Sequence, residues 1–168
     1  MSLPLLAIAG WSGTGKTTLL KQVIPILLSK GIRAGLIKHT HHQMDVDIPG
    51  KDSYLLRKAG ASQVIVASSE RWALMCETPD QPSIDLPYLL SRMDHSVLEI
   101  VLVEGFKNEP VPKIVLWRDG IKGGIEELLD AQTIAVASDQ KLALNVPVLD
   151  INCPGSVADF IAEWLERR

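Results

Sequence analysis

One run of eight residues, Gly10-Trp11-Ser12-Gly13-Thr14-Gly15-Lys16-Thr17, concentrates the chemistry this sequence can do. Two glycines flank four variable positions and are followed by a lysine and a threonine, the spacing of a phosphate-cradling loop. Glycines let the backbone curl until successive amide N–H groups point into one hollow. A lysine there reaches the outer phosphates of a nucleoside triphosphate, and a threonine hydroxyl there can coordinate magnesium. The expected cradle is Gly10, Trp11, Ser12, Gly13, Thr14, Gly15, Lys16, Thr17 and Thr18. Lys16 is expected to serve catalysis as well as binding, and Thr17 to be a metal ligand.

Three further groups could complete such a site. Glu104 ends the apolar run Leu98 to Val103. It is either a carboxylate near the magnesium, an orienter of an attacking water, or a solvated strand-end acid. His39, His41 and His42 follow Lys38 and hold three of the four histidines in the chain. They line a polar or anionic substrate pocket together with Lys38, bind zinc in an unusual spacing without cysteine, or sit in a solvated loop. Asp45, Asp47 and Asp52 in the same stretch are magnesium contacts or turn and cap residues. Asp139 closes Ala137-Ser138-Asp139. It is either a turn residue or the acceptor for the ring N1–H and exocyclic amine of guanine, although the Asn-Lys-x-Asp signature is absent.

These residues need elements to position them. Leu5 to Ala9 reads as a buried strand. A helix is expected from Lys16 to Ser29, kinked or ended early at Pro25. Ala34 to Lys38 is the next strand, parallel to the first through a right-handed crossover. The polar stretch from His39 to Ser53 is a long loop leaving the ligand-binding edge of the sheet. Asp52-Ser53 caps a helix to Ala59. Gln63–Ala67 and Trp72–Cys76 form a hairpin, so part of the sheet is expected to be antiparallel. A short helix over 86–93 precedes the buried central strand that ends at Glu104. Strands follow at Lys113–Trp117, with Arg118-Asp119-Gly120 as a turn, at Thr133–Ala137 and at Pro147–Asp150. A capping-box pattern at Ser156 opens a C-terminal amphipathic helix. The expected fold class is α/β, a P-loop NTPase-like three-layer fold with a mainly parallel sheet plus an antiparallel hairpin.

The 168 residues point to one domain over 1–168. A net charge of −3, with no basic stripe, argues against a nucleic-acid partner. Cys76 and Cys153 have no metal-ligand spacing and read as free thiols. The N-terminal apolar run is too short for a signal peptide or a membrane span, so a soluble cytoplasmic protein without membrane partners is expected.

Several stretches together resemble one known family. They are Trp11-Ser12-Gly13-Thr14-Gly15-Lys16-Thr17-Thr18-Leu19-Leu20, Gly35-Leu36-Ile37-Lys38-His39-Thr40-His41-His42, Pro49-Gly50-Lys51-Asp52-Ser53, Arg57-Lys58-Ala59-Gly60-Ala61, Leu102-Val103-Glu104-Gly105-Phe106-Lys107 and Ala135-Val136-Ala137-Ser138-Asp139. The chain resembles the molybdopterin-guanine dinucleotide biosynthesis protein B family. The resemblance implies a homodimer that binds GTP with magnesium, hydrolyses it weakly and takes molybdopterin as second ligand. It also implies assistance to a guanylyltransferase partner in molybdenum cofactor biosynthesis. Related nucleotide-binding proteins carry a lysine early in the loop. Here that position is Trp11, so catalysis across a dimer by such a lysine is not expected. Two alternatives compete: a P-loop small-molecule kinase and a nucleotide-binding adaptor without turnover. Arg57, Arg71, Arg92 and Arg118 are scattered rather than gathered in a lid, which argues against the kinase.

Overall fold

The computed structural model describes residues 3–40, 44–80, 85–106 and 108–168. The chain divides into two compact units, Met1–His39 with Pro87–Arg168, and Thr40–Leu86.

The first unit holds a six-stranded sheet. Its strands are β1 (Leu5–Gly10), β2 (Ala34–Lys38), β5 (Ile100–Glu104), β6 (Lys113–Trp117), β7 (Thr133–Ser138) and β8 (Val148–Asp150). They run in the order β2-β5-β1-β6-β7-β8, and every pairing is parallel. The register sets Glu104 opposite both Ile8 and Lys38, Gly10 opposite Leu116, and Ser138 opposite both Trp117 and Asp150. The C-terminal ends of neighbouring strands therefore line one edge, where open parallel sheets present loops to ligands.

The near-continuous apolar strands follow from burial on both faces. Leu6, Ile8, Ile100, Leu102, Ile114, Leu116, Ala135 and Ala137 cluster with Leu19, Leu20, Val23 and Leu27 of α1 (Lys16–Ser29) and with Val157, Ala158 and Ile161 of α4 (Pro154–Glu166). On the other face Val115 and Val136 meet Ile125 and Leu128, with Trp11, Trp117, Leu142 and Leu144 packed around them. Over that part of the sheet the covering layer is irregular chain rather than helix.

α1 spans the expected Lys16–Ser29 and passes through Pro25 without ending there, whereas the start of α4 differs from expectation. The hydrogen bond that Pro25 cannot donate is outweighed by the buried stripe on both sides of it. α4 begins at Pro154, before the capping pattern at Ser156, because proline in the first turn has φ already set for a helix. The Ser156 hydroxyl instead donates to the Cys153 carbonyl.

The second unit contains α2 (Asp52–Lys58) and a separate antiparallel pair, β3 (Gln63–Ala67) with β4 (Trp72–Cys76). The hairpin is thus present but belongs to its own two-stranded sheet, not to the parallel one. Its turn is held by the Ser68 hydroxyl, which accepts from the Glu70 and Arg71 amides at 3.2 Å each. Lys51, not Asp52, occupies the α2 cap position. Asp52 is already helical, and the Ser53 hydroxyl donates to Asp47 at 3.1 Å. The remaining helix, α3 (Leu86–Ser91), ends before the expected Met93.

Candidate functional site

The glycine-rich loop joins β1 to α1 at the C-terminal edge of the sheet. Gly10 pairs with Leu116, and a Cβ there would lie 2.7 Å from the Leu116 carbonyl oxygen, so no larger residue fits. Gly15 precedes the helix at φ 89°, a left-handed conformation that disfavours any side chain. Thr14 is fully buried, and its hydroxyl donates to the Trp11 carbonyl at 2.9 Å. Lys16 Nζ arcs back over the loop and donates to the carbonyls of Gly10 and Trp11, both at 2.9 Å. The Trp11 indole N–H donates to the Gly124 carbonyl at 3.2 Å. Trp11 thus anchors the loop to the segment after β6, while Ser12, Gly13, Thr17 and Thr18 remain exposed.

Glu104 stands next to the loop because β5 neighbours β1. It is 7% exposed, and its Oε1 accepts the Thr17 hydroxyl at 3.0 Å. Lys38 Nζ lies 3.5 Å from the same oxygen, and Lys38 is half exposed. The His39 amide donates to the Glu104 carbonyl at 2.9 Å, and the His39 ring lies 5.1 Å from that of Phe106. The turn after Glu104 needs Gly105, whose φ is 96° and whose added Cβ would sit 3.0 Å from the His39 carbonyl oxygen. The motif Val103-Glu104-Gly105-Phe106 therefore places one buried carboxylate against one loop hydroxyl and one lysine.

On the other side of β1, Asp139 follows β7. Its Oδ1 accepts the Asp119 amide at 3.1 Å, and its Oδ2 lies 3.8 Å from Arg118 Nη1. Arg118 also donates from Nε to the Thr14 carbonyl at 3.2 Å and from Nη2 to Asn152 Oδ1 at 3.1 Å. A cleft of about 430 Å³ opens beside Asp139, lined by Ser138, Lys141, Leu142, Asp150 and Asn152. A second, of about 300 Å³, is lined by Gly15, Thr18, Gln22, Arg118 and Asn152. Asn152 borders both. In the sequence Arg118 reads as part of a turn, and Asn152 carries no motif of its own. The signal was available: Arg118 directly follows a buried parallel strand, as Asp139 does.

Within the second unit Asp45 and Asp47 have partners. Arg57, almost buried, pairs with Asp45 at 2.6 Å, Glu77 at 2.9 Å and Asp47 at 3.3 Å. Hydrogen bonds donated to Glu77 and then to Asp45 raise the Arg57 pKa above its usual value. Asp45 and Asp47 thus hold an arginine, a role other than the two expected for them. His41, His42 and Lys107 lie outside the described residues. Among the described residues no group of three or more His, Cys, Asp and Glu could hold a metal ion, and no helix is long and apolar enough to cross a membrane.

The model of the family described as molybdopterin guanine dinucleotide synthesis protein B matches residues 5–139. The chain is 63% identical over 167 residues to an Escherichia coli protein named molybdopterin-guanine dinucleotide biosynthesis adapter protein, covering 99% of this chain and 95% of that one. It is 49% identical to a Haemophilus influenzae protein of the same name, over 97% of this chain and 90% of the other. The crystal structure of Bacillus subtilis MobB superposes with a TM-score of 0.77 at 25% identity, covering 96% of this chain and 97% of that one. With the match spanning the glycine-rich loop, Glu104 and Asp139, the chain belongs to the molybdopterin-guanine dinucleotide synthesis protein B family.

Proposed function

We propose that the protein binds GTP with magnesium, hydrolyses it slowly, and assists a partner guanylyltransferase in joining a GMP moiety to molybdopterin. The observation that carries this reading is the 3.0 Å hydrogen bond from the Thr17 hydroxyl to the buried Glu104 carboxylate, at the head of the glycine-rich loop. A hydroxyl and a carboxylate beside a phosphate cradle are the donor set that a magnesium ion takes in such sites. In this reading Gly10 to Thr18 cradle the phosphates, Lys16 binds the outer ones, and Thr17 and Glu104 attend the metal or the attacking water. Asp139 accepts both donors of guanine.

The order β2-β5-β1-β6-β7-β8 supports one direction for the ligand in this reading. Glu104 lies on one side of β1 and Asp139 on the other. The terminal phosphate therefore points toward β5, and the base toward β7 and β8. Lys38 and His39 flank Glu104, so the second ligand, molybdopterin, approaches from that end, with His41 and His42 on the same stretch of sequence. The adapter name carried by the relatives supports docking on a partner enzyme. A homodimer fits the exposed apolar side chains of the hairpin, Ile65, Val66 and Trp72. A cytoplasmic location fits a cofactor-assembly role.

Single-turnover hydrolysis of labelled GTP, with and without molybdopterin, tests the proposal. Slow release of phosphate that depends on magnesium is the expected result. Tight binding without release supports an adaptor without turnover, and transfer of phosphate to a small molecule supports a kinase.

A further inference from the structure

The loop and Asp139 belong to different parts of the sheet. β6 lies between β1 and β7, so the paired register sets the backbone spacing between the phosphate cradle and the end of β7 but not the orientation of the Asp139 carboxylate. Arg118, at the end of β6, spans that gap. Its guanidinium is tied to the loop through the Thr14 carbonyl, to the turn after β8 through Asn152, and faces Asp139 Oδ2 at 3.8 Å. A planar fork of fixed geometry suits three partners in different directions better than a flexible ammonium.

We propose that Arg118 is a positioning residue for base selection, holding the Asp139 carboxylate in a set orientation toward the phosphate loop. The proposal rests on the reading of Asp139 as the guanine acceptor. The Asp119 amide holds one carboxylate oxygen by a hydrogen bond, and the Arg118 guanidinium attracts the other electrostatically across 3.8 Å. A carboxylate has about four acceptor positions, so each oxygen keeps capacity for one guanine donor. The two donors of guanine are rigidly spaced, and the phosphates are clamped at the loop. Both ends meet their partners only if the carboxylate holds the right orientation. Adenine makes no such pair of bonds, so its nucleotides gain nothing from the arrangement. Arg118 acts through Asp139 and selects the base without contacting it.

The test titrates GTP and ATP into the full chain by calorimetry, for the parent, Arg118→Ala, Asn152→Ala, Asp139→Asn and the double variant Arg118→Ala with Asp139→Asn. Arg118→Ala is expected to reduce the preference for GTP over ATP about fivefold, the scale of an ion pair in a partly exposed site, while the lost anchor to the loop lowers both affinities alike. Asn152→Ala, which removes one of the three anchors at an exposed turn, is expected to act in the same direction by about threefold. In the Asp139→Asn background the Arg118 substitution is expected to leave the preference unchanged, because the carboxylate it positions is gone. Equal loss of GTP and ATP, an undiminished preference, or an effect that persists without Asp139 overturns the proposal. A parent protein that binds both nucleotides equally overturns the guanine reading itself, and the proposal with it. If Arg118→Ala does not fold, Asn152→Ala decides alone: an unchanged preference overturns the proposal.

Discussion

Glu104→Gln is the substitution that separates the chemistry of this site from its architecture. The amide matches the carboxylate in size, so β5 and the turn at Gly105 are undisturbed. The Thr17 hydroxyl, now 3.0 Å from a carboxylate oxygen, keeps an acceptor in the amide oxygen. Replacing a charged acceptor by a neutral one roughly halves such a bond, a loss of about 1 kcal/mol. The Lys38 pair at 3.5 Å is lost too, but Lys38 is half exposed and such pairs are worth less than about 1 kcal/mol. Burying a neutral amide instead of a carboxylate offsets part of both losses. Stability is therefore expected to change by no more than about 1–2 kcal/mol, measured by urea unfolding. Turnover responds on another scale. Loss of a group that orients water or attends the metal is expected to slow GTP hydrolysis about 10²- to 10⁴-fold, with nucleotide affinity within a few-fold. The assay is phosphate release under single-turnover conditions across a magnesium series. Recovery of rate as magnesium rises identifies a metal role, and a rate that stays low at saturating magnesium identifies water orientation. A variant that hydrolyses GTP at the parent rate refutes the catalytic reading of Glu104.

Lys16→Ala is expected to abolish triphosphate binding at micromolar nucleotide, since it removes the only charge-assisted donor of the glycine-rich loop; unchanged affinity by calorimetry would reject the cradle. Asp139→Asn is expected to weaken GTP and strengthen xanthosine triphosphate, because the amide can donate to the xanthine ring carbonyl, and competition binding reads the exchange. Gly123→Ala is expected to destabilise the fold by about 1–3 kcal/mol: its φ is 109°, and a Cβ would stand 2.6 Å from the Trp11 indole. Trp11 fluorescence should shift with it, and a parent-like urea midpoint would contradict the contact. Light scattering is expected to report a homodimer that Trp72→Glu dissociates at micromolar concentration, Trp72 being 67% exposed on the hairpin; a parent monomer at high micromolar concentration would remove the dimer.

Much of this protein was legible from local sequence. The loop, its preceding strand and its following helix form one contiguous unit, so the spacing Gly10 to Thr17 specifies geometry directly. Glu104 and Asp139 were visible because a polar residue that ends an apolar parallel strand must emerge at the ligand edge. Tertiary structure alone decided which of these residues meet. Glu104 reaches Thr17 because β5 inserts between β2 and β1, a choice no local pattern encodes. Arg118 meets Thr14, Asn152 and Asp139 across separations of 104, 34 and 21 residues in the sequence. Asp45 and Asp47 looked available for a metal until folding set them against Arg57. The hairpin pattern was clear, but whether it joins the parallel sheet depends on edge pairing far away in sequence. Local chemistry fixes what each residue can do, and long-range pairing determines the partners with which it does it.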